Sequence, residues 1–345
     1  REQFGIDAYT LWGGFFNGAY YPARDNILCP AQQASNRIAV PVFRMLGPNP
    51  IYNYGDHPFP ESDISGCPTI EPAWEGGNTP ASVDWFYDTY FNGPAGAFSY
   101  IQLGQENSFG RDRIEPGLSM QLEKLNALLA VRDDIRVEKL CDTADWFVKT
   151  FPDTPTQTQC APRDWRGSGL QSFWYNTKKY RCNLMVRGGE VYFRDIMMYD
   201  DLYADRWTAH VCNDNTARVD ALPVVDGWGW RDEAHPYPGL YLGRTETPAA
   251  ATQDTDRGTL TVRAGGIVAE FTPDAIHLTL PDDAPLRLSF SPEIPDRIGT
   301  DAGALRYCHN AFAYSVPVEG AFLHRGPAGE VTLLPFARKV SLLFD

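Results

Sequence analysis

The 345 residues are 43% hydrophobic and 21% charged, enough apolar content at this length to bury a sizeable core and to form two domains. A formal charge of −14 at pH 7, with no basic run to offset it, sets the chain against phosphate backbones and so excludes nucleic acid as a partner. No apolar stretch approaches the roughly 20 residues that span a bilayer, which excludes a membrane-embedded chain.

Arg1 rather than Met opens the sequence, and a strand-like run over residues 4–11 follows with no leading element. This reads as the later portion of a longer protein, whose upstream N-terminal part would then be a partner of what is seen. Apolar runs at 38–46, 97–103 and 135–140 continue as buried strands, while helical periodicity covers 80–91, 116–131 and 143–151. Strands alternating with helices signal parallel βα units. Four strands cannot close a barrel, so residues 1–160 read as part of a (β/α) barrel-like domain. After residue 165 the helical signal gives way to two-residue alternation at 171–176, 181–186, 190–198, 259–263, 276–280 and 286–290, with Gly188-Gly189 as a tight hairpin turn. Residues 161–345 therefore read as a β-sandwich-like domain, with exposed loops at 236–238 and 247–256. The expected fold class is α/β plus all-β. Seven widely spaced cysteines, odd in number and without a CxxC pair, point to reduced, mostly buried thiols and slightly favour the cytoplasm.

Loops at the C-terminal ends of parallel strands form the mouths of active sites, and four segments qualify. The first, residues 12–22, sets Trp12, Asn17, Tyr20 and Tyr21 among glycines; flat rings of this kind stack on sugars, or anchor loops in a core. The second, residues 47–77, is too long for a simple turn and carries Asp56, His57, Glu61, Asp63, Glu71, Trp74 and Glu75. His57 beside Asp56 could bind a metal or shuttle a proton, but no HxxxH or comparable spacing supports a metal site, and no cofactor is called for. The third is the sharpest. The strand at 97–103 leads into Gly104-Gln105-Glu106-Asn107, a carboxylate between two amides suited to acid–base work on a glycosidic bond while Gln105 and Asn107 hold sugar hydroxyls. The alternative for Glu106 is a loop carboxylate that caps the next helix or pairs with Arg111 or Arg113. The fourth, Asp142, is explained by a helix start with acids in its first turn. Glu71 and Asp56 rank above Asp7 as the second carboxylate, because Asp7 lies within its strand and could pair with Arg44. In the later half Trp165 and Trp174 stand at the domain junction and could close a cleft, while Trp228 and Trp230 read more readily as core.

The stretches 7–13 (DAYTLWG), 43–52 (FRMLGPNPIY), 101–110 (IQLGQENSFG) and Trp174-Tyr175-Asn176 resemble a bacterial family classed with the glycoside hydrolases. Its barrel is similar to those of polysaccharide deacetylases and α-mannosidase-type glycosidases and is followed by a β-sandwich. The resemblance implies that part of the barrel precedes Arg1, where deacetylase-like relatives carry metal-binding Asp and His residues that this chain lacks. Three functions follow. One is a glycoside hydrolase acting on an oligosaccharide or polysaccharide, with Glu106, Glu71 and Asp56 as the catalytic set and Trp12, Asn17, Tyr20, Tyr21, Arg44, Trp74, Gln105, Asn107 and Trp174 binding substrate. The others are a non-catalytic carbohydrate-binding or structural module, and a metal-dependent carbohydrate deacetylase.

Overall fold

The structure is a computed structural model and describes residues 14–44, 47–52, 69–103, 109–205, 222–226, 239–289, 298–301, 303–326 and 330–344, together with residue 209. These residues are mostly β with few helices, and the strands form three sheets. In chain order come β1 (Ala19–Tyr20), β2 (Val42–Phe43), α1 (Glu75–Asn78), α2 (Pro80–Asn92), α3 (Arg111–Leu129) and α4 (Leu140–Thr150). There follow β3 (Gln157–Ala161), β4 (Gln171–Asn176), β5 (Tyr180–Arg187), β6 (Glu190–Met198), β7 (Leu222–Asp226), β8 (Leu240–Arg244), β9 (Ala250–Asp254), β10 (Thr259–Ala264), β11 (Ile267–Thr272) and β12 (Ala275–Thr279). The chain continues through β13 (Leu286–Leu288), β14 (Ile298–Asp301), β15 (Ala304–His309), β16 (Phe312–Glu319), β17 (Ala321–Arg325), β18 (Val331–Pro335) and β19 (Lys339–Leu343). None of the helices among the described residues is long and apolar enough to cross a membrane.

A two-stranded ribbon pairs β1 with β2. A nine-stranded sheet runs β17-β18-β13-β8-β6-β5-β4-β3, with β7 added along the second half of β6. An eight-stranded sheet runs β14-β15-β16-β19-β12-β11-β10-β9. Apolar residues of the two large sheets belong to one cluster: Phe173, Leu184 and Phe193 from one meet Leu260, Ala269, Phe271 and Ile276 from the other. Phe271 lies 5.5 Å from Tyr175 and 6.0 Å from Phe193, centroid to centroid.

Burial along the strands separates the sheets by role. In β10 and β11 buried and open positions alternate, as one solvated face requires. In β4, β5 and β6 nearly every residue is buried, so that sheet is covered on both faces. The first 150 residues provide the second cover: Ile51, Tyr52, Val83, Trp85 and Phe86 share a cluster with Ala161, Met185 and Tyr192 of the sheet.

Several local expectations match their elements. Strands β4 and β6 occupy the anticipated residues, and Gly188 and Gly189 turn between β5 and β6 with φ of +57° and +83°, left-handed values that glycine adopts without a Cβ clash. Helices α2 and α4 lie where the periodicity puts them, with Pro80 at the first turn of α2 and Asp142 in the first turn of α4. Among the described cysteines Cys29, Cys160 and Cys182 are free and buried, and Cys141 and Cys308 are free and exposed.

Other expectations are corrected. Every strand pairing among the described residues is antiparallel, so the parallel βα alternation is not found there. Residues 4–11 lie outside the described residues, and the run at 38–46 yields only β2. Residues 97–103 are not a strand: pairing ends after Ala97 N–H donates to the Thr156 carbonyl, and the chain beyond is held by side chains, as where Ser99 Oγ donates to the Tyr90 carbonyl. Residues 135–139 have no ladder partner and expose Val137, and Leu140 already begins α4. Helix α3 starts at Arg111, so Pro116 falls inside it rather than at its first turn. The loop expected at 247–256 contains β9, an edge strand with no fully buried position and so no apolar row for the sequence to show.

Candidate functional site

The sheet face covered by residues 14–52 is polar, and its side chains replace the backbone partners that those residues lack. Gln157 works as a strand substitute: its Oε1 accepts from Ala19 N–H at 2.9 Å and its Nε2 donates to the Ala19 carbonyl at 2.6 Å. Asn176 Oδ1 accepts from Phe16 N–H at 3.0 Å. The Pro50 carbonyl accepts from Ser172 Oγ at 2.5 Å and Trp174 Nε1 at 2.9 Å, and the Ile51 carbonyl from Arg194 Nη1 at 2.9 Å. Arg181 Nη1 donates to the Gly14 carbonyl at 3.0 Å while its Nε and Nη2 fork Asp195.

This clamp fixes three aromatic candidates as packing residues. Trp174 is fully buried, and Phe16 covers one face of its ring at 4.0 Å with planes 7° apart. Tyr20 is fully buried against Phe15, and its hydroxyl donates to the Ile27 carbonyl. Tyr21 packs on Phe147 and donates to the Phe151 carbonyl. None of the three offers an open ring face to a sugar, because each ring is spent on the core.

Two of the expected residues, Asn17 and Arg44, are buried beside the β1–β2 ribbon. Arg44 N–H donates to the Gly18 carbonyl at 2.9 Å, extending the register of the β1–β2 ribbon. Asn17 Nδ2 donates to the Tyr100 carbonyl at 2.8 Å, which fixes which way the amide faces and leaves Oδ1 as the atom with no partner among the described residues. Tyr100 packs its ring 5.0 Å from that of Phe43, and burial pushes its phenol up to about 12. The Arg44 side chain is buried, and its Nε and Nη2 have no partner among the described residues. Asp7, its anticipated partner, lies outside them.

A second group forms around Glu71, which is buried and accepts from Trp74 Nε1 at 3.2 Å. Trp74 is 37% exposed. Phe109 meets it edge-on at 5.5 Å, and the Arg113 guanidinium lies 4.4 Å from the Trp74 centroid and 4.3 Å from that of Phe109. The two groups are joined by a short path: Gly47, three residues past Arg44, accepts through its carbonyl from Ile70 N–H, next to Glu71. Of the arginines offered to Glu106, Arg111 forks Glu115 and Arg113 lies on the aromatic pair. Trp12, Asp56, His57, Gln105, Glu106 and Asn107 lie outside the described residues, as do Trp228 and Trp230.

One carboxylate beside this site went unmarked in the sequence. Asp164 Oδ2 accepts from the Tyr52 hydroxyl at 2.5 Å and from Ser168 N–H at 3.1 Å, and its buried Oδ1 has no partner among the described residues. Burial, then the bond to Asp164, raises the Tyr52 phenol well above its ordinary value. Arg166 stacks on Trp165 and pairs with Glu75 at 2.5 Å, which brings this loop up to α1. Tyr52 and Asp164 are 112 residues apart, so no local pattern announces them. Among the described residues no group of three or more His, Cys, Asp or Glu side chains could hold a metal ion.

No protein-family model matches the chain, and no curated protein matches it. Among solved structures it is similar to the crystal structure of a "putative glycoside hydrolase/deacetylase" from Parabacteroides distasonis, at 14% identity and a TM-score of 0.39, over 56% of this chain and 50% of that one. The chain thus spans about half the length of that solved chain.

Proposed function

We propose that the protein is a carbohydrate-active enzyme, a glycoside hydrolase in which Glu106 and Glu71 are the paired carboxyl groups and Trp74 gives the sugar an aromatic surface. The observation that carries this reading is the buried Glu71 carboxylate hydrogen-bonded to an indole that remains 37% exposed. An indole edge held by an acid places a carboxyl group beside a ring able to stack on the apolar face of a sugar. Phe109, three residues past Glu106 in the sequence, touches the same indole. Asp56 is the alternative to Glu71. To the same proposal belong a partial barrel at 1–160 and a β-sandwich at 161–345; for the latter, the core shared by the two large sheets is the support.

The test is turnover of a panel of aryl glycosides and polysaccharides by the wild type, Glu106→Gln and Glu71→Gln, with oligosaccharide binding measured beside it. The expected result is a loss of about 10²- to 10⁴-fold in kcat in each variant, binding retained and a chelator without effect. Turnover unchanged in both variants sinks the paired-carboxylate mechanism. Activity abolished by a chelator favours the deacetylase, and binding with no turnover at all favours the carbohydrate-binding module.

A further inference from the structure

Arg113 supports an inference that rests on the glycoside hydrolase reading and narrows it to one class of sugar. Helix α3 sets this arginine over the Glu71–Trp74 group and holds it there. Gln121 Nε2 donates to the Ile70 carbonyl at 2.8 Å and to that of Gly77 at 2.5 Å, and Gly117 packs so closely that a Cβ on it would come within 2.4 Å of the Pro72 carbonyl oxygen. One turn earlier on that fixed helix, the Arg113 guanidinium carbon lies 4.4 Å from the Trp74 ring centre and 4.3 Å from that of Phe109. Arg113 is exposed, and so is part of the indole beneath it.

Stacking engages the faces of a guanidinium and leaves its N–H donors in the plane, pointing past the rings. No carboxylate among the described residues takes the donors of Arg113. Its helical neighbours at three and four residues are Phe109, Gly110, Pro116 and Gly117, none of them an acid. Two other arginines around α1 and α3 are paired: Arg111 forks Glu115, and Arg166 reaches Glu75. Arg113 is thus a cation fixed by two rings, in contact with water, whose donors are open to an acid from outside. We infer that Arg113 selects an acidic sugar: a uronic acid lies with its ring on the exposed part of the Trp74 indole, and its carboxylate, carried at the rim of that ring, accepts from the Arg113 N–H groups. A carboxylate takes two such donors in parallel, which a single hydroxyl cannot. The net charge of −14 repels polyanions at a distance, so the ligand class is a mostly neutral oligosaccharide bearing an isolated uronic acid.

Calorimetry on the full chain tests this with matched oligosaccharide pairs, each pair sharing one backbone and differing by the presence of a glucuronic or galacturonic acid residue. The wild type is expected to bind the uronate-bearing member about 10-fold more tightly, the lower range for a bond to a charged group because the place is open to water, with the preference shrinking as salt rises. Arg113→Gln is expected to remove the preference, and Trp74→Ala to weaken the binding of both members. Equal binding of both members to the wild type overturns the role of Arg113, as does a preference that survives in Arg113→Gln; the first of these needs no variant to fold. Binding of both members unchanged in Trp74→Ala overturns the Glu71–Trp74 site instead, and failure of every pair to bind overturns the carbohydrate reading itself.

Discussion

Substituting Asp195 probes the layer that joins the opening segment to the nine-stranded sheet. Arg181 and Asp195 form a two-pronged ion pair whose side chains are 1% and 2% exposed, and Arg181 also donates to the Gly14 carbonyl at 3.0 Å. Asp195→Asn keeps the shape but removes the carboxylate charge that the buried guanidinium forks, at a cost of about 3–5 kcal/mol. Arg181→Met removes the forked donor from the carboxylate instead and also takes the donor from the Gly14 carbonyl, adding about 1–3 kcal/mol. Replacing both, as Arg181→Met with Asp195→Leu, removes the two charges of the pair together. The double variant should then fall short of the summed single losses by at least about 3 kcal/mol. Urea unfolding followed by tryptophan emission suits the question, since the Trp174 ring centre lies 5.9 Å from the Arg181 guanidinium carbon. A loss under about 1 kcal/mol in Asp195→Asn, or strict additivity in the double variant, would refute the reasoning.

Two further outcomes are expected. Burial raises the phenols of Tyr180, Tyr199 and Tyr307, and that of Tyr100 to about 12, above the ordinary tyrosine value of 10.0. The folded state then holds these protons more tightly than the unfolded one, so this part of the stability is complete below pH 10 and declines as pH rises through the folded values. Tyrosinate absorbance and far-UV dichroism recorded together from pH 9 to 12 should change in step, and full ionisation near pH 10 with the dichroism intact would contradict this. At the β15–β16 hairpin Asn310 and Ala311 adopt φ of +49° and +64°, a two-residue turn in which alanine carries the left-handed penalty. Ala311→Gly should raise stability by about 1 kcal/mol, read as a higher Tm, and a lowered Tm would count against that account.

The sequence revealed elements whose cause is local. The alternation of β6 and the Gly188-Gly189 turn need nothing beyond their own residues, and Pro80 marks the start of α2. It failed where partners decide: residues 97–103 and 135–139 have strand-like composition but find no ladder, whereas polar β3 becomes a strand through pairing with β4. The site divides in the same way. Glu71 and Trp74 are three residues apart and could be read together, whereas Arg44 reaches the Asn17 segment through its backbone bond to the Gly18 carbonyl. Trp174 looked like a surface for sugar because composition cannot reveal that Phe16 lies on its ring. Asp164 escaped notice because its significance depends on Tyr52, far away along the chain.

The two-sided burial of β4, β5 and β6 has an evolutionary corollary. A strand with one wet face has a neutral position at every second residue, so in β10 and β11 substitutions can accumulate on that face without loss. Strands covered on both sides have no such reservoir, and the outward row of the central sheet must satisfy hydrogen bonds as well as volume. In a set of descendants of this chain, drift should therefore slow along β4 to β6 and run fastest on the open face of the eight-stranded sheet, even if neither stretch touches the substrate.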